Sequence, residues 1–155
     1  IFPLYDEKGT LIYFVARSFD DKSWMKYKNP KASKDIVPNE HLINWNVPVI
    51  LVEGVFDMAA VKRNVIPLLG KTIQKSVMRK LLNSQAGKIY IALDRDAQNE
   101  AYDYCELFLD QGKEVYLVDL NRKDPSELGF KAFTKLIQET IPVNYDELLA
   151  HKLDI

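Results

Sequence analysis

The feature that most limits how this chain can fold is a repeated pairing of short apolar runs with helical patterns. "VPVILV", "VIPLLG", "KIYIALD" and "KEVYLVDL" are brief and nearly unbroken, as expected of strands buried on both faces. Between them, "FDMAAVKRN" reads as a short helix. "TIQKSVMRKLLNSQ" sets Ile73, Val77, Leu81 and Leu82 at helical spacing, with Gly87 beyond its end. "AQNEAYDYCELFLDQG" gathers Ala97, Ala101, Tyr104, Cys105, Phe108 and Leu109 on one stripe that Gly112 ends. Strands alternating with helices predict a parallel α/β sheet with right-handed crossovers. Residues 130–139 and 144–152 read as two closing helices.

The first 47 residues follow a different pattern. Residues 1–5 and 11–19 are apolar runs around the turn cluster "DEKG", which predicts a β-hairpin with Gly9 at positive φ. "DDKSWMKYKNPKASKD" follows, polar and basic, with Trp24 and Tyr27 interleaved. Residues 20–46 lack sustained periodicity and are expected to form loops and short strands. Lys22, Lys26, Lys28, Lys31 and Lys34 offer phosphate contacts, and Trp24 and Tyr27 offer stacking or simple packing.

Composition narrows the chemistry. The 155 residues are 47% hydrophobic and 28% charged, the balance of a globular domain. No apolar run approaches the roughly 20 residues that span a bilayer, so no membrane association is expected. The chain opens on Ile1 without an initiator methionine, which suggests a piece of a longer protein. A lone Cys105 excludes internal disulfides and cysteine-rich zinc sites, and His41 and His151 add no metal-binding pattern. Any metal should therefore be a hard cation held by oxygen. The net charge of −1 conceals an asymmetry. Residues 1–93 carry 14 Lys/Arg against 8 Asp/Glu, and residues 94–155 carry 7 against 14. One half suits phosphates and the other cations, although charged helix faces alone produce such patterns.

Acids recur where the strands should end. Glu53 closes the first, Asp94 and Asp96 in "ALDRDA" close the third, and Asp119 and Asp124 follow the fourth. Sites in open parallel sheets form at these carboxyl ends. In extended chain Asp94 and Asp96 point to one side and Arg95 to the other. Converging carboxylates repel by roughly 4 kcal/mol at ~4 Å and an effective dielectric of about 20, so they call for compensation by a cation, a shared proton or a basic side chain. A divalent ion such as Mg²⁺ suits all-oxygen ligands. Each acid also has a plain structural role open to it. Glu53 suits a solvated loop, Asp57 a first helical turn, and Asp94 or Asp96 an N-cap for the helix near Ala97. Gly54, lacking Cβ, leaves room for a ligand or a neighbouring acidic strand.

"LVEGVFD", followed some forty residues later by "IALDRDA", resembles the Toprim domain shared by primases, topoisomerases and related nucleases. The resemblance covers residues 48–129. "KDPSELG" at 123–129 is similar to the Lys-Asp-Pro segment of primases. "FPLYDEKGTLIYFVARSF…KYKNP" resembles the segment preceding Toprim in those enzymes. The resemblance implies a Rossmann-type parallel sheet flanked by helices, with a small N-terminal β-rich basic subdomain. It divides the chain into residues 1–47, a Toprim domain at 48–129 and C-terminal helices at 130–155.

The implied activity is that of a DNA primase core, joining ribonucleoside triphosphates into short RNA primers on a single-stranded DNA template with Mg²⁺ or Mn²⁺. Glu53, Asp94 and Asp96 are the implied catalytic acids. Glu53, Asp94, Asp96 and Asp124 are the implied metal ligands, with Glu53 alternatively a general base. Arg17, Lys26, Tyr27 and Asn29 are implied in nucleotide or nucleic-acid binding, and Gly54 and Asp57 in support. The family often carries a second acid where this chain has Ser126, and Glu127 is a substitute for it. A replicative helicase as partner and a bacterial cytoplasm, phage-encoded or not, complete the implied setting. Two alternatives share the residues: a Toprim nuclease, and a non-catalytic Toprim module of a helicase or recombination protein.

Overall fold

The computed structural model describes residues 1–20, 22–120 and 123–153; Asp21, within the basic stretch, lies outside them. Phe2–Tyr5 (β1) and Leu11–Arg17 (β2) form the expected antiparallel hairpin, with Gly9 at φ 78°, and Tyr27–Lys28 (β3) extends it beside β2. Strand β2 stops before residue 19. The Ser18 hydroxyl accepts the Asp20 N–H at 3.1 Å and bends the chain into a loop. Phe19 thereby loses its place in the strand and is fully exposed.

The second layer system is a four-stranded parallel sheet of Val49–Val52 (β4), Val65–Pro67 (β5), Lys88–Ala92 (β6) and Glu114–Leu117 (β7), in the order β5-β4-β6-β7. Helices Val55–Val61 (α1), Lys75–Asn83 (α2) and Gln98–Asp110 (α3) alternate with the strands, and Pro125–Glu139 (α4) and Tyr145–Leu153 (α5) close the chain. Every residue of β4 is buried. Alternate side chains explain why: Val49 and Leu51 enter a core with Val77, Leu81, Cys105 and Phe108, while Ile50 and Val52 meet Val61 and Phe133 on the other face. Each such aliphatic side chain contributes about 1.5–3 kcal/mol through burial. Among the described residues no helix is long and apolar enough to cross a membrane.

Helix α4 begins five residues earlier than its apolar pattern predicts. The Asp124 carboxylate accepts the Glu127 N–H at 2.8 Å, and Pro125 occupies the first helical position, where its missing N–H costs nothing. Gly129, at φ 74°, then interrupts the helix, so that the part following it is the predicted segment.

The hairpin packs through Leu4, Tyr13 and Val15 against Val55, with Phe56 and Leu69 alongside. Phe2 meets Phe56 edge to face at 4.9 Å between centroids. The basic N-terminal layer is thus seated over the start of α1, which is also the end of β4.

Candidate metal centre and adjoining pocket

Sheet order creates the site. The chain leaves β4 for β5 on one side, then returns through α2 to β6 on the other. Between β4 and β6 the connections diverge, and a crevice opens beyond the carboxyl ends. Val52 pairs in register with Ala92, so Glu53 and Asp94 emerge side by side. The Asp94 N–H donates to Glu53 Oε1 at 3.0 Å. Glu53, Asp94 and Asp96 each offer a ligand oxygen, and these oxygens lie within 4.8 Å of one another.

Asp94 and Asp96 converge by a route other than the extended chain expected. Arg95–Ala97 is a turn of 3-10 helix, closed by the Ala97 N–H on the Asp94 carbonyl at 2.9 Å. Asp94 precedes this turn without a side-chain capping bond, so the N-cap role does not account for its carboxylate. The same turn starts α3, whose buried Ala97 and Ala101 fix it against the sheet.

Burial is the first cause that pushes the Glu53 carboxyl above its ordinary range; the Asp94 and Asp96 charges add to it, against the pull of the Asp94 N–H. Asp94 is raised likewise, by burial first and then by the charges of Asp124 and Asp96. Among the described residues, Lys71 is the cation paired with these acids: its Nζ contacts the Asp96 carboxylate. The sequence reading passed over this lysine, whose only signal is its place directly after the Gly70 turn.

Asp57 is the one buried charged side chain among the described residues. Its carboxylate accepts the Gly54 N–H at 3.1 Å and the Ser126 N–H at 3.2 Å. It therefore ties the end of β4 to the start of α4. Burial raises its pKa, offset in part by these hydrogen bonds. Gly54 lines the adjoining pocket and also serves Asp57. A Cβ there would stand 3.3 Å from Asp57 Oδ2, so the glycine makes room for Asp57. Ser126 also donates its hydroxyl to Asp124 at 2.7 Å, joining Asp57 and Asp124 through one residue. Asp124 lies near enough for its charge to raise Asp57 and Asp94, but outside the three-oxygen group.

A pocket of about 320 Å³ connects these acids to the N-terminal layer. Glu53, Asp94 and Asp124 line it together with Arg17, Asn29 and Lys34. Arg17 and Tyr27 are direct partners across β2 and β3, which puts both side chains on one face. The Arg17 guanidinium lies 5.6 Å from the Tyr27 ring centre and 5.2 Å from that of Phe56. Lys34 is held by the Leu69 carbonyl at 3.1 Å. Lys26 differs: it is exposed and stands outside the described lining of this pocket. Trp24 is 89% exposed and so does not pack. A wider cleft on the far side of Asp94 and Asp96 reaches Asp119, Asp124 and Glu127.

Three carboxylate oxygens from two segments, with no nitrogen or sulfur donor among them, fit a hard divalent ion. Cys105, expected in the core, is buried on α3, with its thiol pushed up to about 12 by burial. His151 stacks on Tyr102 at 3.7 Å, and His41 meets Tyr5 edge to face.

No family model matches the chain. A DNA primase of Clostridium acetobutylicum is 29% identical over 92% of this chain and 27% of its own length. An uncharacterized Mycoplasma genitalium protein is 32% identical over 71% of this chain and 55% of its own. A DNA primase of that organism is 25% identical over 78% of this chain and 26% of its own. The chain thus spans between about a quarter and just over half of the curated relatives it matches. Among solved structures, the zinc-binding and RNA polymerase domains of Aquifex aeolicus primase superpose with TM-score 0.67 and 27% identity, over 91% of this chain and 40% of that one. The RNA polymerase domain of Mycobacterium tuberculosis primase gives TM-score 0.63 at 19% identity, over 90% of this chain and 54% of that one. With sheet order, acidic group and N-terminal layer all in place, this chain has the Toprim-type fold of a primase RNA polymerase domain.

Proposed function

We propose that this chain is the catalytic part of a primase, building short RNA primers on single-stranded DNA from ribonucleoside triphosphates. The observation that carries the reading is the single pocket that Arg17, Asn29 and Lys34 line together with Glu53, Asp94 and Asp124. Nucleotidyl transfer needs cationic groups for a polyphosphate and acids for a divalent ion within one molecular length, and this pocket supplies both.

In this reading Glu53, Asp94 and Asp96 hold Mg²⁺ or Mn²⁺, with Asp124 at the rim. When bound, the ion supplies neutralisation of phosphoryl charge and activation of the attacking hydroxyl. Glu53, oriented by the Asp94 N–H and raised in pKa by burial, is also placed to accept the proton of that hydroxyl. Asp57 holds the end of β4 against the Lys-Asp-Pro segment and so keeps Glu53 and Asp124 in mutual register. Arg17, braced between Tyr27 and Phe56, offers its guanidinium to phosphate oxygens. The exposed Phe19 and Trp24 stand on the same loop as Lys22 and Lys26, which leads into Lys28 of β3, a combination suited to stacking on unpaired bases. A second M. tuberculosis structure, the same domain in complex with double-stranded DNA, matches at TM-score 0.58 and 19% identity over 90% of this chain and 52% of that one. It supports a nucleic-acid partner.

The boundaries at residues 47/48 and 129/130 also belong to this proposal, as do a helicase partner and a bacterial or phage setting. The test is incubation with single-stranded DNA, labelled ribonucleotides and Mg²⁺ or Mn²⁺, within the full-length parent. Short RNA that disappears in Glu53→Gln and Asp94→Asn supports the proposal. Shortened DNA without RNA identifies a nuclease instead, and metal-independent binding without product identifies a non-catalytic module.

A further inference from the structure

Lys71 occupies a position that its surroundings have built. It follows Leu69 at φ 59° and Gly70 at φ 146°, both in the left-handed region, in the turn that leaves β5. The Gly70 N–H donates to the carbonyl of Glu53 at 3.2 Å, which ties this turn to the acidic group itself. From there the side chain reaches Asp96, contacting its carboxylate and, at 3.4 Å, its carbonyl. The ammonium therefore draws on one of the three carboxylates that converge within 4.8 Å.

Resting on the metal-binding reading above, we propose that Lys71 is a built-in counter-ion that competes with the divalent cation for Asp96. In the metal-free chain it offsets part of the repulsion among Glu53, Asp94 and Asp96. As the ion takes Asp96, the ammonium is displaced, since two cations beside one carboxylate repel. Lys71 thus stabilises the metal-free site and weakens metal binding by the same interaction.

The experiment is titration of the full chain with Mn²⁺ alone, reading free ion by electron paramagnetic resonance, alongside thermal unfolding. Lys71→Gln is expected to bind Mn²⁺ about three- to tenfold more tightly at low salt, less at high salt as screening grows. Without metal its unfolding temperature falls below that of the unmodified chain, and the gap narrows as Mn²⁺ saturates. Lys71→Met, which keeps the aliphatic stem, should repeat the result if the glutamine variant folds poorly. Lys71→Arg and the exposed Lys75→Gln should remain near the unmodified affinity. Unchanged or weaker Mn²⁺ binding in Lys71→Gln, with binding still abolished by Asp94→Asn, overturns the role of Lys71 alone. Absence of any Mn²⁺ binding sensitive to Asp94→Asn overturns the metal reading and this inference together.

Discussion

Replacing Asp94 with asparagine should stabilise the metal-free chain while abolishing its response to divalent ions. At the 4.8 Å limit of the acidic group, two unit charges repel by about 3.5 kcal/mol at an effective dielectric near 20 and about 0.9 kcal/mol in water. Asp94 is half-buried, so solvent screening brings the expected gain to about 1–2 kcal/mol. For a chain of this size that raises the unfolding temperature by about 2–8 °C. The backbone N–H that Asp94 gives to Glu53 is untouched by the substitution. For the unmodified chain, Mg²⁺ at about ten times its dissociation constant should add about 1.4 kcal/mol, and for Asp94→Asn almost nothing.

The pH dependence follows from the direction of the shifts. Both Glu53 and Asp94 are raised above their ordinary values of 4.5 and 3.8, so the folded chain holds their protons more tightly than the unfolded one. Their contribution is fully present below those values and is lost as pH rises through the raised ones. The advantage of Asp94→Asn should accordingly vanish below 3.8, grow above it, and level off once both acids are ionised. Differential scanning fluorimetry across pH, with and without Mg²⁺, reads all of this. A lower metal-free unfolding temperature for Asp94→Asn, or an undiminished rise with Mg²⁺, would refute the reasoning.

Two further outcomes follow from contacts already described. Asp57→Ala removes the carboxylate that accepts the part-buried N–H groups of Gly54 and Ser126 and should cost about 1–3 kcal/mol in urea unfolding; Asp57→Asn, retaining one acceptor, should cost less. Cys105, buried with its thiol at about 12, should resist a thiol-reactive dye in the native chain and react at the rate of unfolding, which absorbance follows directly.

Most elements and all the acids of the site are legible in the residue pattern, although the end of β2 and the start of α4 are not. Runs such as "VILV" are legible because a strand buried on both faces needs apolar residues at every position, and the Ala97, Ala101, Cys105 and Phe108 stripe is legible because a helix buries one face. Glu53, Asp94 and Asp124 were visible as acids beyond such runs. Their meeting was implied by the Toprim resemblance and not by periodicity, because strand order depends on long-range pairing that local periodicity does not encode. Only the order β5-β4-β6-β7 makes β4 and β6 neighbours and brings Glu53 to the N–H of Asp94. The tertiary structure likewise decided the 3-10 turn that aims Asp96, the seat that Gly54 leaves for Asp57, and the reach of Lys71 from a separate turn. It also placed the hairpin over α1 through Leu4, Tyr13, Val15 and Val55, so that Arg17 faces acids some forty or more residues away. Residue spacing along one element is a local property. Which elements share an edge is settled by the burial of all of them together.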